Sequence, residues 1–153
     1  MSKSETVHFR QARVADVPDL EEARHGDSEA GRADPRMAGY LRGEHHPQQA
    51  LQSRVLYLAE TEKGVVGYIG GHLTERYGCD GEVQYLYVVP THRRAGLASR
   101  LLQELFGWFE TRGAVRVCVD VEPGNRGARC FYARHGASFL NPHWLIWEDI
   151  GGP

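Results

Sequence analysis

No run of apolar residues in this chain approaches the roughly 20 needed to cross a bilayer, so no membrane association is expected. There is no basic excess either. Eighteen Lys and Arg stand against 20 Asp and Glu, a formal net charge of −2. Non-specific nucleic-acid binding needs a dominant positive surface, so no nucleic-acid partner is expected. The opening residues Met1–Thr6 lack the hydrophobic core of a secretory leader, and the expected location is the cytoplasm. Cysteine is scarce. Cys79, Cys118 and Cys130 are odd in number and irregular in spacing, which excludes a disulfide framework and a zinc set; no metal is expected. Cys118 sits in an apolar strand pattern and reads as a small buried hydrophobe. Cys130 has no flanking His, Asn or Asp that would mark a nucleophile. His45-His46 are adjacent, point different ways on a strand or a helix, and read as surface residues. Repeats and linkers are absent. So is a Gly-x-Gly-x-x-Gly turn after the first strand, which excludes a dinucleotide-binding Rossmann enzyme. What remains is 153 residues of ordinary composition, 41% hydrophobic and 25% charged, enough for one domain over 1–153 with its core at about 7–150.

Val7–Ala12 alternates and predicts a first strand. Asp16 is placed to cap a helix that has Pro18 in its first turn and runs to about His25. Gly26–Pro35 has little apolar content and reads as a mobile loop. Met37–Leu41 and Gln48–Gln52 are expected as short helices. Arg54–Glu60 and Val65–Leu73 form a hairpin around Glu62-Lys63-Gly64. Tyr77–Gly81 is a loop. Val115–Val121 alternates as a strand until Pro123-Gly124; a helix follows from Arg126 to His135. Ser138–Leu140 and Trp144–Glu148 close the chain as a hairpin around Asn141-Pro142.

The most informative stretch is Glu82–Arg112. Glu82–Val89 is rich in β-branched and aromatic residues and stops at Pro90. Thr91–Gly96 is a basic, glycine-containing turn. Leu97, Leu101, Leu105, Trp108 and Phe109 then share one helical face, with Gly113 as the stop. Joined to the strand at 115–121, this is a βαβ unit, which implies parallel pairing. The fold class is α/β: one mixed, mostly antiparallel sheet with one parallel βαβ unit, flanked by helices. A strand, a basic Gly turn and a helix make an anion site, because the first helical amides have no intrahelical partner and the dipole is positive there. Gly96 lets a ligand approach the backbone; Arg93 and Arg94 add permanent charge.

Arg93-x-x-Gly96-x-Ala98, preceded by Leu86-Tyr87-Val88-Val89-Pro90, resembles the acyl-CoA pyrophosphate loop of the GNAT N-acetyltransferase superfamily. Asn125-x-x-Ala128-x-x-Phe131-Tyr132-x-x-x-Gly136 resembles the family's second segment, in which Asn contacts the cofactor and Tyr acts at the sulfur. One departure is that Ala137, rather than Phe, follows Gly136. The resemblance covers most of Val7–Ile150 and is thin over Asp27–Ser53. It implies the acyl-CoA N-acyltransferase fold and transfer of acetyl from acetyl-CoA to an amine by direct attack on the thioester. The cofactor contacts it implies are Leu86, Tyr87, Val88, Arg93, Arg94, Ala95, Gly96, Leu97, Ala98, Ser99, Asn125 and Tyr132. The acceptor would be a small-molecule or peptide amine, and a homodimer is compatible. The alternative is a non-catalytic module that binds acyl-CoA or a protein on the same fold.

The chemistry defines the remaining roles. An ammonium acceptor, with pKa near ~10 in water, must lose a proton before it attacks. Glu82, which starts the central strand and resembles the catalytic Glu of the family's histone-acetylating branch, is the candidate base. Strand alternation would place Glu82, Gln84 and Leu86 on one face and Tyr85 on the other. An amide freed by an irregularity in that strand, near Tyr87 or Val88, would face the thioester oxygen. The Tyr132 hydroxyl would protonate the leaving thiolate. Glu75 and Asp80 are further acidic groups able to attract a cationic acceptor.

Overall fold

The computed structural model describes residues 5–25, 27 and 36–152; the loop expected over Gly26–Pro35 lies, Asp27 apart, outside the described residues. Among the described residues, seven strands form one sheet: β1 (His8–Gln11), β2 (Ala50–Thr61), β3 (Gly64–Thr74), β4 (Gly81–Val88), β5 (Val117–Asp120), β6 (Ser138–Asn141) and β7 (Trp144–Trp147). Their order across the sheet is β1-β2-β3-β4-β5-β7-β6. β4 and β5 are parallel and every other pair is antiparallel. Among the described residues, four α-helices accompany the sheet: α1 (Val17–His25), α2 (Met37–Arg42), α3 (Leu97–Thr111) and α4 (Arg126–Arg134). The mixed sheet with one parallel βαβ unit matches the sequence expectation.

The two sheet faces carry separate cores. On one, Leu20, Met37 and Tyr40 from α1 and α2 meet Leu56, Leu58, Tyr68, Tyr85 and Tyr87. On the other, Leu97, Leu101, Leu105, Trp108 and Phe109 of α3 lie on Val55, Ile69, Val83, Val88 and Val117. Fully burying each such side chain contributes about 1.5–3 kcal/mol, so the apolar stripe of α3 fixes it across β2, β3 and β4. Gly81 permits the closest approach, since a Cβ there would lie 2.6 Å from the Phe109 ring.

Two local expectations are corrected. Gln48–Gln52 is not a helix. Ala50 opens β2, paired with Thr74 of β3. Arg54 holds the incoming chain through the carbonyls of Tyr40 (3.2 Å), His45 (2.7 Å) and Leu51 (2.7 Å), so tertiary bonds override helix propensity. Asp16 does not cap α1. It closes a 3₁₀ turn, Val14–Asp16, by accepting from the Arg13 amide at 2.7 Å, and it pairs with Arg10 at 2.8 and 3.0 Å.

The Arg10 guanidinium holds the Asp16 carboxyl down at about 2, from an ordinary 3.8. Its stabilising effect is full above pH 3.8 and is lost as pH falls toward 2. Arg10 is half-exposed, so solvent screening reduces the pair's contribution to about 1–2 kcal/mol. Asp16→Asn should therefore destabilise the protein by that amount at pH 7. In urea titrations the gap between variant and wild type should close between about pH 4 and pH 2. A gap unchanged across that range would remove the ion pair as its cause.

Candidate active site

β4 and β5 pair over only three residues each, Gly81–Val83 with Val117–Val119. Beyond them the strands part. β3 passes directly from pairing Val83 with Gly71 to pairing Tyr85 with Gly70, so Gln84 is an extra residue in β4, a β-bulge. A bulge bends and twists its strand. It also resets the alternation of side chains. Glu82 and Tyr85 thus share the face of α2, while Leu86 lies with Val83 and Val88 on the face of α3. The expected grouping of Glu82 with Leu86 is therefore wrong, because simple alternation does not pass through a bulge.

The Val89 amide donates to the Val66 carbonyl at 2.9 Å. Antiparallel alternation turns Tyr87 toward β3 as well and turns the amides of Leu86 and Val88 away from β3, on the side where β5 no longer pairs. The Val88 carbonyl follows this pattern and accepts from Arg93 Nε at 2.9 Å. Of the two expected amide donors, Val88 faces the gap and Tyr87 does not.

The gap opens into a cleft of about 380 Å³ lined by Arg24, Glu82, Gln84, Tyr85, Leu86, Val119–Glu122, Asn125, Ala128 and Tyr132. Two other depressions, of about 440 and 730 Å³, lack this convergence of a buried carboxylate, a tyrosine hydroxyl and open strand edges. Tyr132 is 6% exposed and packs edge-on against Trp147. Burial pushes its hydroxyl well above the ordinary value, and the hydroxyl makes no hydrogen bond among the described residues. It is a protonated donor at neutral pH. Glu82 is 4% exposed; its Oε1 accepts from Arg76 Nε at 3.1 Å and lies 3.7 Å from His72 Nε2. Asp120, at the end of β5, has its carboxyl raised by burial, with Glu122 and Glu82 adding to it. Asn125 caps α4, accepting from the Ala128 amide at 3.1 Å.

The Gly turn sits at the other end of the gap. Gly96, at φ +79°, is the N-cap of α3 and has no side chain to cap it. The first backbone bond into the helix runs from the Arg100 amide to the Gly96 carbonyl at 3.1 Å, so the amides of Leu97, Ala98 and Ser99 have no intrahelical acceptor. A Cβ at Gly96 would meet nothing within 4 Å, so the approach is open. Exposed Arg94 also has positive φ, +66°, and makes no bond among the described residues. Ala95 is exposed beside it. This cradle fits an anionic phosphate. Arg93 behaves differently from expectation. Its guanidinium is committed to the Val88 carbonyl and, at 2.8 Å, to Asp27. The Tyr87 hydroxyl, pushed up to about 12 by burial and then by Asp27, donates to the same carboxylate at 2.8 Å. Arg93 thus anchors the loop to the strand. Ser99 Oγ lies 2.9 Å from His135 Nε2, tying the start of α3 to the end of α4.

The cleft therefore brings Glu82, Leu86, Asn125 and Tyr132 together, and the Val88 amide lies further along the same open strand edge. Glu75 and Asp80 instead line the 440 Å³ depression, and Asp80 accepts from the amides of Val115 and Arg116 at 2.9 and 3.0 Å. Sequence reasoning missed His72, Tyr40, Arg76 and Asp27. A histidine inside the apolar run Val65–Leu73 was the one available signal for the first.

Residues 19–137 match the family described as the acetyltransferase (GNAT) family. A mycothiol acetyltransferase of Corynebacterium diphtheriae is 31% identical over 137 residues, covering 83% of this chain and 45% of that protein. The chain thus spans less than half the length of this curated relative. Among solved structures, an acetyltransferase of the GNAT family from Staphylococcus aureus superposes with a TM-score of 0.71 at 14% identity, covering 95% of this chain and 99% of that one. The PaiA N-acetyltransferase from Thermoplasma acidophilum, solved in complex with coenzyme A, gives 0.67 at 15% identity, covering 92% and 97%. At these identities the structural likeness is one of fold.

Proposed function

Since the chain belongs to the acetyltransferase (GNAT) family, we propose that it transfers an acetyl group from acetyl-CoA to the amino group of a small-molecule or peptide acceptor. The observation that carries this reading is the parting of β4 and β5, with an uncapped helix N-terminus beyond the end of β4 and, lining the cleft where the strands part, the hydroxyl-bearing Tyr132 and the buried Glu82. The coenzyme A held by one fold neighbour supports the same donor. Acetyl-CoA would supply a thioester whose carbonyl carbon accepts the amine.

The chain's own groups would do the rest. The amides of Leu97, Ala98 and Ser99, with Arg94, hold the pyrophosphate. The amides of Leu86 and Val88 bind along the open strand edge, and Val88 donates toward the thioester oxygen. Asn125 retains its carboxamide N–H groups for a ligand, since only its oxygen is used in the cap. Glu82 takes a proton from the ammonium, directly or through water, and Tyr132 gives one to the departing sulfur. Asp120 and Glu122 make the acceptor side of the cleft anionic, which favours a cationic amine.

Thiol release from acetyl-CoA tests this across a diamine, an amino sugar, a thiol-bearing amine, an N-terminal peptide and a lysine peptide, with longer acyl-CoAs in parallel. The thiol-bearing arm follows from the mycothiol acetyltransferase similarity. Amine-dependent release is expected. Binding of acetyl-CoA with no release for any amine would leave a binding module. Glu82→Gln should lower kcat/KM about ten-fold, below the ~10²-fold of an indispensable base, because water still accepts the proton. The rising limb of the pH profile should change with this substitution for two acceptors of different amine pKa. A limb that follows the acceptor and is identical in wild type and variant would show selection of neutral amine with no base at Glu82.

A further inference from the structure

His72 stands directly opposite Glu82 on the antiparallel pair β3–β4, so the two side chains share a face. It is 0% exposed. Its Nδ1 lies 2.8 Å from the Tyr40 hydroxyl of α2, and its Nε2 makes no hydrogen bond among the described residues. That second nitrogen lies 3.7 Å from Glu82 Oε1, about 0.7 Å longer than an N–H···O bond. A buried nitrogen without a partner carries a desolvation penalty. Among the described residues, the acidic group within 4 Å of it is the Glu82 carboxylate, which also lines the cleft. The other charged or titratable groups around this pair, among the described residues, are Arg54, opposite His72 on β2 with its guanidinium over the Tyr40 ring; Tyr85 of β4; Arg76 on Glu82 itself; and, from β5, Cys118 paired with Glu82 and Asp120, whose carboxyl Glu82 helps to raise.

From this geometry we infer that Tyr40 and His72 are positioning residues for Glu82. Tyr40 donates to Nδ1 and so fixes the neutral tautomer with its proton on Nε2, aimed at Oε1. Burial raises the Tyr40 hydroxyl well above its ordinary value and keeps it a donor. The opposite tautomer would set a lone pair against a carboxylate. Arg76 and His72 both converge on Oε1, leaving Oε2 as the oxygen that turns to the acceptor. A carboxylate held in this way presents its base without reorganising at each turnover. The inference rests on the proposed role of Glu82 and deepens it.

Two measurements test it. Long-range proton–nitrogen spectra of the free protein labelled in histidine read the tautomer without any substrate. His72 should show a protonated Nε2 and a bare Nδ1, and Tyr40→Phe should lose that preference. Spectra with Nδ1 protonated and Nε2 bare overturn the inference. Kinetics with acetyl-CoA and the fastest amine of the panel complete a double-mutant cycle. Tyr40→Phe and His72→Gln should each lower kcat by about five-fold or more, with acetyl-CoA affinity unchanged. Neither should lower it further in Glu82→Gln. An undiminished effect in the Glu82→Gln background overturns the inference, since the pair would then act elsewhere. If Tyr40→Phe fails to fold, the cycle with His72→Gln decides. Full activity of Glu82→Gln also overturns it while leaving acetyl transfer standing. Absence of transfer to every amine by the wild type would instead overturn the proposed function.

Discussion

Tyr132→Phe is expected to lower kcat by about 10²–10³-fold while leaving acetyl-CoA affinity within about two-fold, the range for loss of a positioned general acid. The substitution deletes one hydroxyl and keeps the ring that packs on Trp147 and Phe131. Because the hydroxyl makes no hydrogen bond among the described residues, its removal leaves no protein partner unsatisfied, and stability should hold or rise. That separation of effects is the diagnostic part. Single-turnover rates should fall as kcat does, and the melting temperature should not. A kcat within about two-fold of wild type would make Tyr132 a packing residue of α4.

Gly96→Glu should weaken acetyl-CoA binding by about 10²-fold or more, read by calorimetric titration. Two effects add. A non-glycine residue at φ +79° costs about 1–2 kcal/mol. The carboxylate also brings like charge to the place where the pyrophosphate approaches, worth a similar amount in a partly screened site. Gly96→Ala separates them. A Cβ there meets no neighbour within 4 Å, so alanine carries the backbone strain and no collision. It should weaken acetyl-CoA binding about ten-fold, because the loop must hold the strained turn to bind, and the rest of the loss in Gly96→Glu then belongs to the charge. Unchanged affinity in Gly96→Glu would remove the phosphate-loop assignment.

The strand–turn–helix at 81–111 was legible because its signals are local: a β-rich run ended by Pro90, a glycine turn, and an apolar stripe at helical spacing. Tyr132 and Asn125 were legible for the same reason, as fixed offsets within one helix and its cap. What failed depends on pairing between distant segments. The bulge at Gln84 is defined only against Gly70 and Gly71 of β3, and it reverses the face of every residue after it. Gln49 and Ala50 read as helical until Thr74 takes the Gln49 carbonyl at 2.9 Å and pairs with Ala50. Arg93 looks like a phosphate ligand until Asp27, 66 positions away, claims its guanidinium. His72 has no sequence neighbour that gives it a role; Tyr40 and Glu82 become its neighbours only when α2 covers the sheet.

The central claim is that one cleft moves acetyl directly from thioester to amine. The most direct test is mass spectrometry of a single quenched reaction of acetyl-CoA with the fastest amine, counting free CoA, acetylated amine and protein mass together. The account predicts one acetylated amine for each CoA released and no acetyl on the protein, exposed Cys130 included. An acetylated protein that forms and decays at the catalytic rate, or CoA release without acetylated amine, would contradict it.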